Sequence, residues 1–265
     1  MGESLRFDSA TARRIEALYL SLDAVRRRQR VLELLEPRAG ERVLDVGCGP
    51  GFLCSELAAA AGPTGAVHGV DSSEAMLGLA RTRCGSQPWV TIERGDAARL
   101  ALADRDFDAG VSVQVYEYVR DIAGALAGLF DALRPGGRAV VVDTDWASIV
   151  WHSASPERMA RVLSAFEEHL AHLHLPRVLG PLLRHAGFVD VSCDVLVQLN
   201  CSFEADSYSR GLLELIHDFV PGRRGVSQEE ADAWREELHE RGRRGEYFFS
   251  LNQYLFVARK PHGPG

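Results

Sequence analysis

The feature that most constrains the fold is an alternation of short apolar segments, glycine turns and helical segments across residues 42–144. Segments such as "RVLDV" (42–46) have the valine-rich, near-continuous apolar character of strands that are buried on both faces. Segments such as "FLCSELAAAA" (52–61) have the length and residue types of the helices that cover such a sheet. The sequence therefore predicts a doubly wound α/β fold. The further predicted strands of this region are 65–70, 90–95, 107–114 and 136–144.

Composition and charge exclude several function classes. Of the 265 residues, 46% are hydrophobic and 25% are charged, as in an ordinary globular protein, and no apolar run is long enough to span a bilayer. The net charge of -7 argues against nucleic acid or anionic membranes as partners. The five cysteines are scattered without a metal-binding spacing, and the N-terminus lacks the pattern of a signal peptide. We therefore expect reduced thiols, no metal site and a cytoplasmic location.

The ends of the predicted strands indicate where a ligand would bind, because ligands of doubly wound sheets lie beyond the carboxyl ends of the strands. After the first strand, Gly47 can turn sharply, Gly49 lets a ligand approach the backbone, and Gly51 opens a helix whose free N–H groups attract polar groups. Asp71 ends the second strand, at a distance along the chain that suits a ribose diol, although "DSSE" also fits a compatible helix cap. Together with "GDA" (95–97) and "VQVYEY" (113–118), these segments predict a nucleoside-bearing cofactor.

The glycine spacing decides between two kinds of cofactor. A dinucleotide fingerprint needs Gly-x-Gly-x-x-Gly, but Phe52 stands at the third glycine position. The motifs "VLDVGCGPG", "GVDSS", "GDA" and "LRPGGRAVVVD", in this order within residues 30–143, resemble the class I S-adenosylmethionine-dependent methyltransferases. The resemblance is greatest to the small-molecule branch that includes the ubiquinone and menaquinone biosynthesis methyltransferases. It implies an enzyme that uses S-adenosylmethionine and releases S-adenosylhomocysteine.

The resemblance also implies roles for individual residues. Asp45 and the three glycines would line the methionine part of the cofactor, Asp71 would accept both ribose hydroxyls, and Gln114 would lie near the sulfonium. The N-terminal helix often covers the cofactor in this family, so Tyr19 and Arg28 are candidates for its amino-acid end. Arg28 interrupts an apolar stripe and is predicted to face inward. The residues implied around the adenine are Ser72, Met76, Asp96 and Ala97.

Methyl transfer from a sulfonium depends mainly on positioning, because the methyl group is already activated. An in-line displacement at about 3 Å can draw up to roughly 7–11 kcal/mol from positioning alone. A general base is optional, and it would serve a hydroxyl acceptor. As candidate bases, the sequence offers Asp143, Asp145 and His152 after the fifth strand, and Tyr116 and Glu117 after the fourth. For His152, a surface position is an equally good interpretation.

The remaining segments complete a seven-stranded, mostly parallel sheet of the methyltransferase type. Periodic apolar residues between Ile15 and Leu35 predict one amphipathic helix or two in series. Two C-terminal strands, after Gly187 and within 246–260, would form the antiparallel edge that is usual in the family. The predicted organisation is an N-terminal helical cap (1–36), a cofactor-binding α/β core (37–200), a helical lid insertion (201–245), and a final core strand and tail (246–265).

Two hypotheses for function follow. The first is methyl transfer to an O, N or C nucleophile of a small organic metabolite. Methylation of nucleic-acid bases is disfavoured, because "VQVY" (113–116) stands where base methyltransferases have Asn/Asp-Pro-Pro-aromatic. The alternative is a methyltransferase-like protein that binds the cofactor without transferring methyl, as a cyclase or a regulatory or binding module. The sequence leaves the acceptor and the oligomeric state open.

Overall fold

One mixed sheet forms the centre of the molecule. The computed structural model describes residues 15–102 and 105–263, and within them seven strands are ordered β3-β2-β1-β4-β5-β7-β6. Strands β1 to β5 pair in parallel, whereas β7 runs antiparallel between β5 and β6. The predicted fold class and its antiparallel edge are confirmed. The strands are β1 Arg42–Val46, β2 Ala66–Asp71, β3 Val90–Arg94, β4 Phe107–Val113, β5 Leu133–Trp151, β6 Val189–Asn200 and β7 Phe249–Arg259.

Helices cover both faces of this sheet. At the N-terminal side, a helical stretch at 15–19 is followed by α1, which begins where Ser21 Oγ accepts a hydrogen bond from Ala24 N. The described part of the predicted cap is thus two helices in series, and residues 1–14 lie outside the described residues. The helices are α1 Leu22–Leu35, α2 Phe52–Ala61, α3 Glu74–Cys84, α4 Ile122–Ala132, α5 Pro156–Phe166, α6 Leu175–His185, α7 Tyr208–Phe219 and α8 Gln228–Arg243.

Alternate residues of the parallel strands face two different apolar layers. Val43 points into the layer made by α1, α2 and α3, and its neighbour Leu44 points into the layer made by α4 and α6. Both side chains are fully buried. Burial of such a side chain stabilises the fold by about 1.5–3 kcal/mol. The near-continuous apolar strands of the sequence follow from this burial on both faces.

A third apolar cluster joins the helices of the predicted insertion to further segments, and we call this cluster the lid. The helices α7 and α8 lie within the predicted insertion, 201–245. However, α5 packs in the same cluster through Val162 and Phe166, and β5 continues beyond its predicted end and contributes Trp146 and Trp151. The lid therefore combines two separate segments of the chain. Among the described residues, no helix has both the length and the apolar character that crossing a membrane requires.

Candidate functional site

A cavity of about 280 Å³ lies between the strand ends and the lid. This volume is close to the lower end of the range for small-molecule sites, roughly 300–1,000 Å³. We call the part formed by residues after β1, β2, β3 and β4 the loop half, and the part formed by the lid the aromatic half. The loop half includes Gly47, Gly49, Asp71, Ser72, Met76, Asp96, Ala97 and Gln114. The aromatic half includes Tyr118, Trp146, Phe166, His169, Tyr208 and Leu212.

The glycine turn after β1 is held against the ends of two other strands. The N–H groups of Gly47 and Cys48 both donate to the Val70 carbonyl, at 2.7 and 2.9 Å. Gly47 has φ +73°, and a Cβ atom there would lie 2.2 Å from Val115 Cγ2. The positive φ agrees with the sharp turn expected at Gly47, and a side chain there would clash with Val115.

Gly51 has a different surrounding from the other two glycines of the turn. A Cβ atom on Gly51 would lie 2.8 Å from Ala80 Cα, so this glycine allows α2 to pack against α3. Gly51 does not line the cavity. Its predicted contact with the methionine part of a cofactor stays a prediction, and its observed role is packing between helices.

Asp71 joins the glycine turn to the end of β2. Its Oδ2 accepts a hydrogen bond from Gly49 N at 2.9 Å, and its Oδ1 accepts one from Ser73 N at 2.8 Å. Burial raises the pKa of Asp71, while these N–H groups oppose the shift. The helix cap is Ser73, which accepts from Met76 N, rather than Asp71 or Ser72. A carboxylate has about four lone-pair sites, and the N–H groups of Gly49, Ser72 and Ser73 interact with this one, so capacity is left for a hydroxyl group in the cavity.

Other residues predicted around an adenine line the same half of the cavity. Ser72 and the buried Met76 stand on one side, at the start of α3. Asp96 and Ala97 stand on the other, after β3, and Asp96 Oδ1 accepts from Ala98 N at 2.9 Å. The structure thus brings these four residues together in the loop half.

Gln114 connects the sheet to the lid. It follows β4 with φ +55°, a conformation that non-glycine residues rarely adopt. Its Nε2 donates to Thr144 Oγ1 at 3.0 Å and lies 3.4 Å from the Tyr208 hydroxyl of α7. The strained backbone turns this amide to the boundary between the two halves of the cavity.

Arg28, the arginine that was expected to face inward, is buried, but the neighbouring Arg27 is the one that lines the larger cavity. Arg28 donates to Glu56 at 2.8 Å and to the Tyr19 carbonyl at 2.7 Å, so its charge is compensated within the protein. Arg27 lines the cavity and is 1% exposed, with its guanidinium 5.5 Å from the ring of Tyr19 and 5.9 Å from that of Tyr208. The buried Nε of Arg27 has no hydrogen-bond partner.

The sequence analysis did not single out Arg27 within "RRRQR" (26–30). A signal was present. Arg27 stands three residues after Ala24 and four before Val31, and both of these are fully buried members of the helix stripe. A cation at this spacing faces inward as much as Arg28 does.

A smaller cavity of about 30 Å³ adjoins the glycine turn and shares Tyr19 and Arg27 with the larger one. Arg28 and Asp45 line it. Burial raises the pKa of Asp45 to about 7, against the hydrogen bond donated by Cys54 Sγ at 3.2 Å. The predicted candidates for the amino-acid end of a cofactor therefore meet beside this turn.

The predicted catalytic residues Tyr116 and Asp143 are fully buried beneath the cavity and do not line it. Asp143 Oδ1 accepts from Glu117 N at 3.2 Å, and burial holds the pKa of Asp143 well above its usual range. Burial also raises the pKa of Tyr116. These two groups support the turn after β4 from below, which gives them no contact with a ligand in the cavity.

The other two predicted catalytic residues also lie away from the cavity lining. Asp145 accepts from Arg177 at 2.9 and 3.2 Å and lies 3.4 Å from His174, so it forms an ion pair with α6. His152 is exposed, with Nδ1 3.3 Å from the Glu246 carbonyl oxygen, in agreement with the alternative interpretation as a surface histidine. Catalytic roles for these four residues stay predictions without geometric support.

His169 is a functional candidate that sequence reasoning missed. It follows α5 in a short 3-10 helix, lines the aromatic half, and is 4% exposed. Its Nδ1 faces the Phe166 carbonyl oxygen of its own turn, and its buried Nε2 has no hydrogen-bond partner. Burial lowers the pKa of His169 to about 4. The available signal was spacing, since His169 continues the buried face of Val162 and Phe166.

Glu117 lies behind the aromatic half. It is fully buried, and burial raises its pKa to about 7, against the hydrogen bond that its Oε2 accepts from Thr144 N at 3.0 Å. Trp146 and Tyr118, which line the cavity, also hold the pKa of Glu117 down. Within the described parts of the chain, no group of three or more His, Cys, Asp or Glu side chains is placed to hold a metal ion.

Comparison with known proteins places this chain in a family. Residues 43–137 match the sequence profile of a methyltransferase domain. The chain is 30% identical over 183 residues to the demethylmenaquinone methyltransferase of Symbiobacterium thermophilum, covering 60% of this chain and 73% of that enzyme. The chain belongs to the class I S-adenosylmethionine-dependent methyltransferases. The predicted family is thereby confirmed.

In the other comparisons, the chain matches a smaller share of the related protein's length. It is 41% identical over 146 residues to an uncharacterized 37.1 kDa protein in transposon TN4556 of Streptomyces fradiae, which is 54% of this chain but 42% of that protein. A phosphoethanolamine N-methyltransferase 2 of Haemonchus contortus, solved with S-adenosylmethionine, superposes with a TM-score of 0.65 and 18% identity over 97% of this chain and 58% of that one. The structural likeness supports the fold.

Proposed function

We propose that this methyltransferase binds S-adenosylmethionine in the loop half of the cavity and transfers its methyl group to a small organic acceptor in the aromatic half. The acceptor atom is an O, N or C nucleophile. The observation that carries the proposal is the continuity of the cavity, because one space is lined both by the glycine turn with Asp71 and by the aromatic side chains of the lid. A donor and an acceptor held in one enclosed space gain most of their rate from positioning.

The residues present fit the cofactor. The turn at Gly47 has no room for a side chain, Asp71 has capacity left for a hydroxyl group, and the buried Nε of Arg27 has no partner among the described residues. Arg27 therefore replaces Arg28 as the proposed group for the carboxylate of the amino-acid end. When bound, the cofactor supplies an activated methyl group. The chain itself holds both partners and excludes water.

The aromatic half favours a small, largely apolar acceptor. Trp146, Phe166 and Tyr208 supply flat apolar walls, and Leu212 closes one side. The relative from Symbiobacterium thermophilum is named for a quinone precursor, demethylmenaquinone, which agrees with an acceptor of this character. A nucleic-acid acceptor is not proposed, because the net charge of -7 opposes it.

The proposed place of action is the cytosol. Cys48, Cys54 and Cys84 are buried free thiols, and thiols persist in that form in a reducing compartment. The sheet also supplies no clustered metal ligands among its described residues.

The test is calorimetric titration of the purified protein with S-adenosylmethionine, S-adenosylhomocysteine and NADH. We expect binding of the first two ligands only. Asp71→Asn keeps the shape of the side chain and one acceptor for the glycine turn, whereas Asp71→Ala also releases Gly49 and Ser73. Asp71→Asn should weaken binding by about tenfold or more, since charge-assisted hydrogen bonds contribute about 1.5–3 kcal/mol.

Failure of both adenosyl ligands to bind a folded protein would overturn the proposal. Binding without any methylated product, across a panel of phenols, hydroquinones and amines incubated with S-adenosylmethionine, would instead support the alternative of a cofactor-binding protein that does not transfer methyl. Release of S-adenosylhomocysteine in equal amount to a methylated product would establish transfer.

A further inference from the structure

We propose that His169 accepts the proton of the acceptor, and that the acceptor is an aromatic alcohol bound by its hydroxyl group at His169 Nε2. This inference rests on the proposed methyl transfer and names the chemical class of its acceptor. It starts from two observations: His169 is one of the residues that line the cavity, and its buried Nε2 has no hydrogen-bond partner among the described residues.

The surroundings of His169 fix which nitrogen is available. Nδ1 faces the carbonyl oxygen of Phe166, which only accepts, so Nδ1 carries the proton and donates it. A neutral imidazole has one N–H group, so Nε2 holds a lone pair. This lone pair is buried, and no group of the described residues donates a hydrogen bond to it. A ligand that satisfies it must bring an O–H or N–H group.

The groups that face the His169 ring are aromatic on every element packed against it. The ring centroids lie 4.0 Å from Phe166 of α5, 5.7 Å from Trp146 of β5, 5.6 Å from Phe219 of α7 and 5.8 Å from Tyr118 after β4. Of these, only Tyr118 titrates, and burial keeps its pKa well above its usual value. The charged group behind them is Glu117, which contacts Tyr118 and Trp146. A planar aromatic ligand matches these walls.

The proposed step balances in atoms and charge. The hydroxyl oxygen of the acceptor forms a bond to the methyl carbon, the carbon–sulfur bond breaks, and its electron pair stays on sulfur. The hydroxyl proton moves to His169 Nε2. One positive charge thereby passes from sulfur to the imidazole, so the net charge inside the cavity does not change.

The neutral form of His169 is the form that accepts a proton. Because burial lowers the pKa of His169 to about 4, this form predominates throughout the pH range near neutrality. An exposed histidine would instead be partly protonated near pH 6.5. The geometry at Phe166 and the low pKa thus agree on the same protonation state.

The first experiment measures binding of two probes to the protein saturated with S-adenosylhomocysteine. Phenol has the O–H group, and toluene has nearly the same shape without it. We expect phenol to bind about five- to tenfold more tightly than toluene, the value of one net hydrogen bond in a protein. In ¹⁵N-histidine spectra, the Nε2 signal of His169 should move with phenol and stay in place with toluene.

Variants assign the preference to His169. His169→Phe should remove the preference for phenol, because the ring cannot accept a hydrogen bond. His169→Gln should keep a preference, since its carbonyl accepts, and should lose at least tenfold in methylation of phenol, since an amide does not take a proton. The matched control is His185→Phe on the exposed side of α6, which should behave like the wild type.

The outcomes separate the two proposals. Equal binding of phenol and toluene, no phenol binding at all, or an unchanged preference in His169→Phe would each overturn the role of His169. Retained binding of S-adenosylhomocysteine in those same samples would show that the variants fold and that the proposed function stands. If the wild type does not bind S-adenosylhomocysteine, the proposed function itself is overturned.

Discussion

Several ionisable side chains lie fully buried around the cavity, and burial moves their pKa values in opposite directions. Burial raises the pKa of Glu117 and of Asp45 to about 7 and lowers that of His169 to about 4. For each group, the shift favours the uncharged form near neutral pH. The stability of the protein therefore depends on pH.

Replacement of Glu117 by glutamine should flatten the pH dependence of stability. A carboxyl with a raised pKa binds more protons in the folded than in the unfolded state, so its contribution to stability is lost as the pH rises from about 4.5 towards 7. Urea unfolding at pH 5 and pH 8 measures the loss, to which Glu117 contributes on the order of 2–3 kcal/mol beside the contribution of Asp45, whose pKa is also raised to about 7. Glu229→Gln, at an exposed position of α8, is the control. An equal fall in the free energy of unfolding from pH 5 to pH 8 in the wild type and in Glu117→Gln would contradict this interpretation.

Replacement of Arg27 tests the amino-acid end of the cofactor site. Arg27→Met keeps much of the buried chain but removes the guanidinium, so S-adenosylhomocysteine should bind at least tenfold more weakly, as expected for a lost charged hydrogen bond of about 1.5–3 kcal/mol. Calorimetry measures this affinity. Arg26→Met, at the exposed neighbour, should leave it unchanged. An unchanged affinity in Arg27→Met would exclude Arg27 from the site.

At the scale of the elements, the turn between β1 and α2 is positioned by its contacts with the ends of β2 and β4. Val70 accepts two hydrogen bonds from the turn, Asp71 accepts a third, and Val115 packs where a side chain at Gly47 would stand. The turn is therefore held in place by the ends of β2 and β4 as well as by β1, from which it starts. Its shape depends on contacts far apart in the sequence.

Alanine substitutions in this turn should have unequal effects. Gly47→Ala places a Cβ atom 2.2 Å from Val115 Cγ2, whereas Gly49→Ala meets no atom within 4 Å, and both positions have positive φ. Gly49→Ala should cost about 1–2 kcal/mol from backbone strain alone, and Gly47→Ala distinctly more. Thermal unfolding measures both. Gly47→Ala combined with Val115→Ala should recover part of the difference, and no recovery would argue against the clash.

At the scale of the whole molecule, two chain segments separate in sequence close over one end of the sheet. The first contains α5 and the turn with His169, and the second contains α7 and α8. An ion pair between Arg158 and Glu237 at 2.6 Å joins them, and Trp234 is fully buried between them. The aromatic half of the cavity exists only where these segments meet.

Truncation of Trp234 should loosen the lid and spare the sheet. Trp234→Ala removes a fully buried indole, a change that costs about 3–5 kcal/mol in a packed cluster. Hydrogen exchange should accelerate in α5, α7 and α8 and stay slow in β1, β2 and β4. Phenol binding should fall more than S-adenosylhomocysteine binding. Equal acceleration in sheet and lid would show that the molecule unfolds as one unit.

The sequence determined the sheet and the loop half of the cavity, because both depend on local signals. Apolar strands, turn glycines and the carboxylate of Asp71 stand at fixed distances along the chain, and the topology of a doubly wound sheet brings strand ends together. The family followed from the same motifs.

Only the tertiary structure decided the aromatic half of the cavity. Of the two buried arginines, Arg28 forms an ion pair with Glu56, and Arg27 lines the larger cavity. Asp143 and Asp145 were candidates by position, but packing buried one beneath the turn after β4 and paired the other with Arg177. His169 reaches the cavity because two distant segments close over the sheet, and long-range packing of this kind leaves no motif in a single sequence.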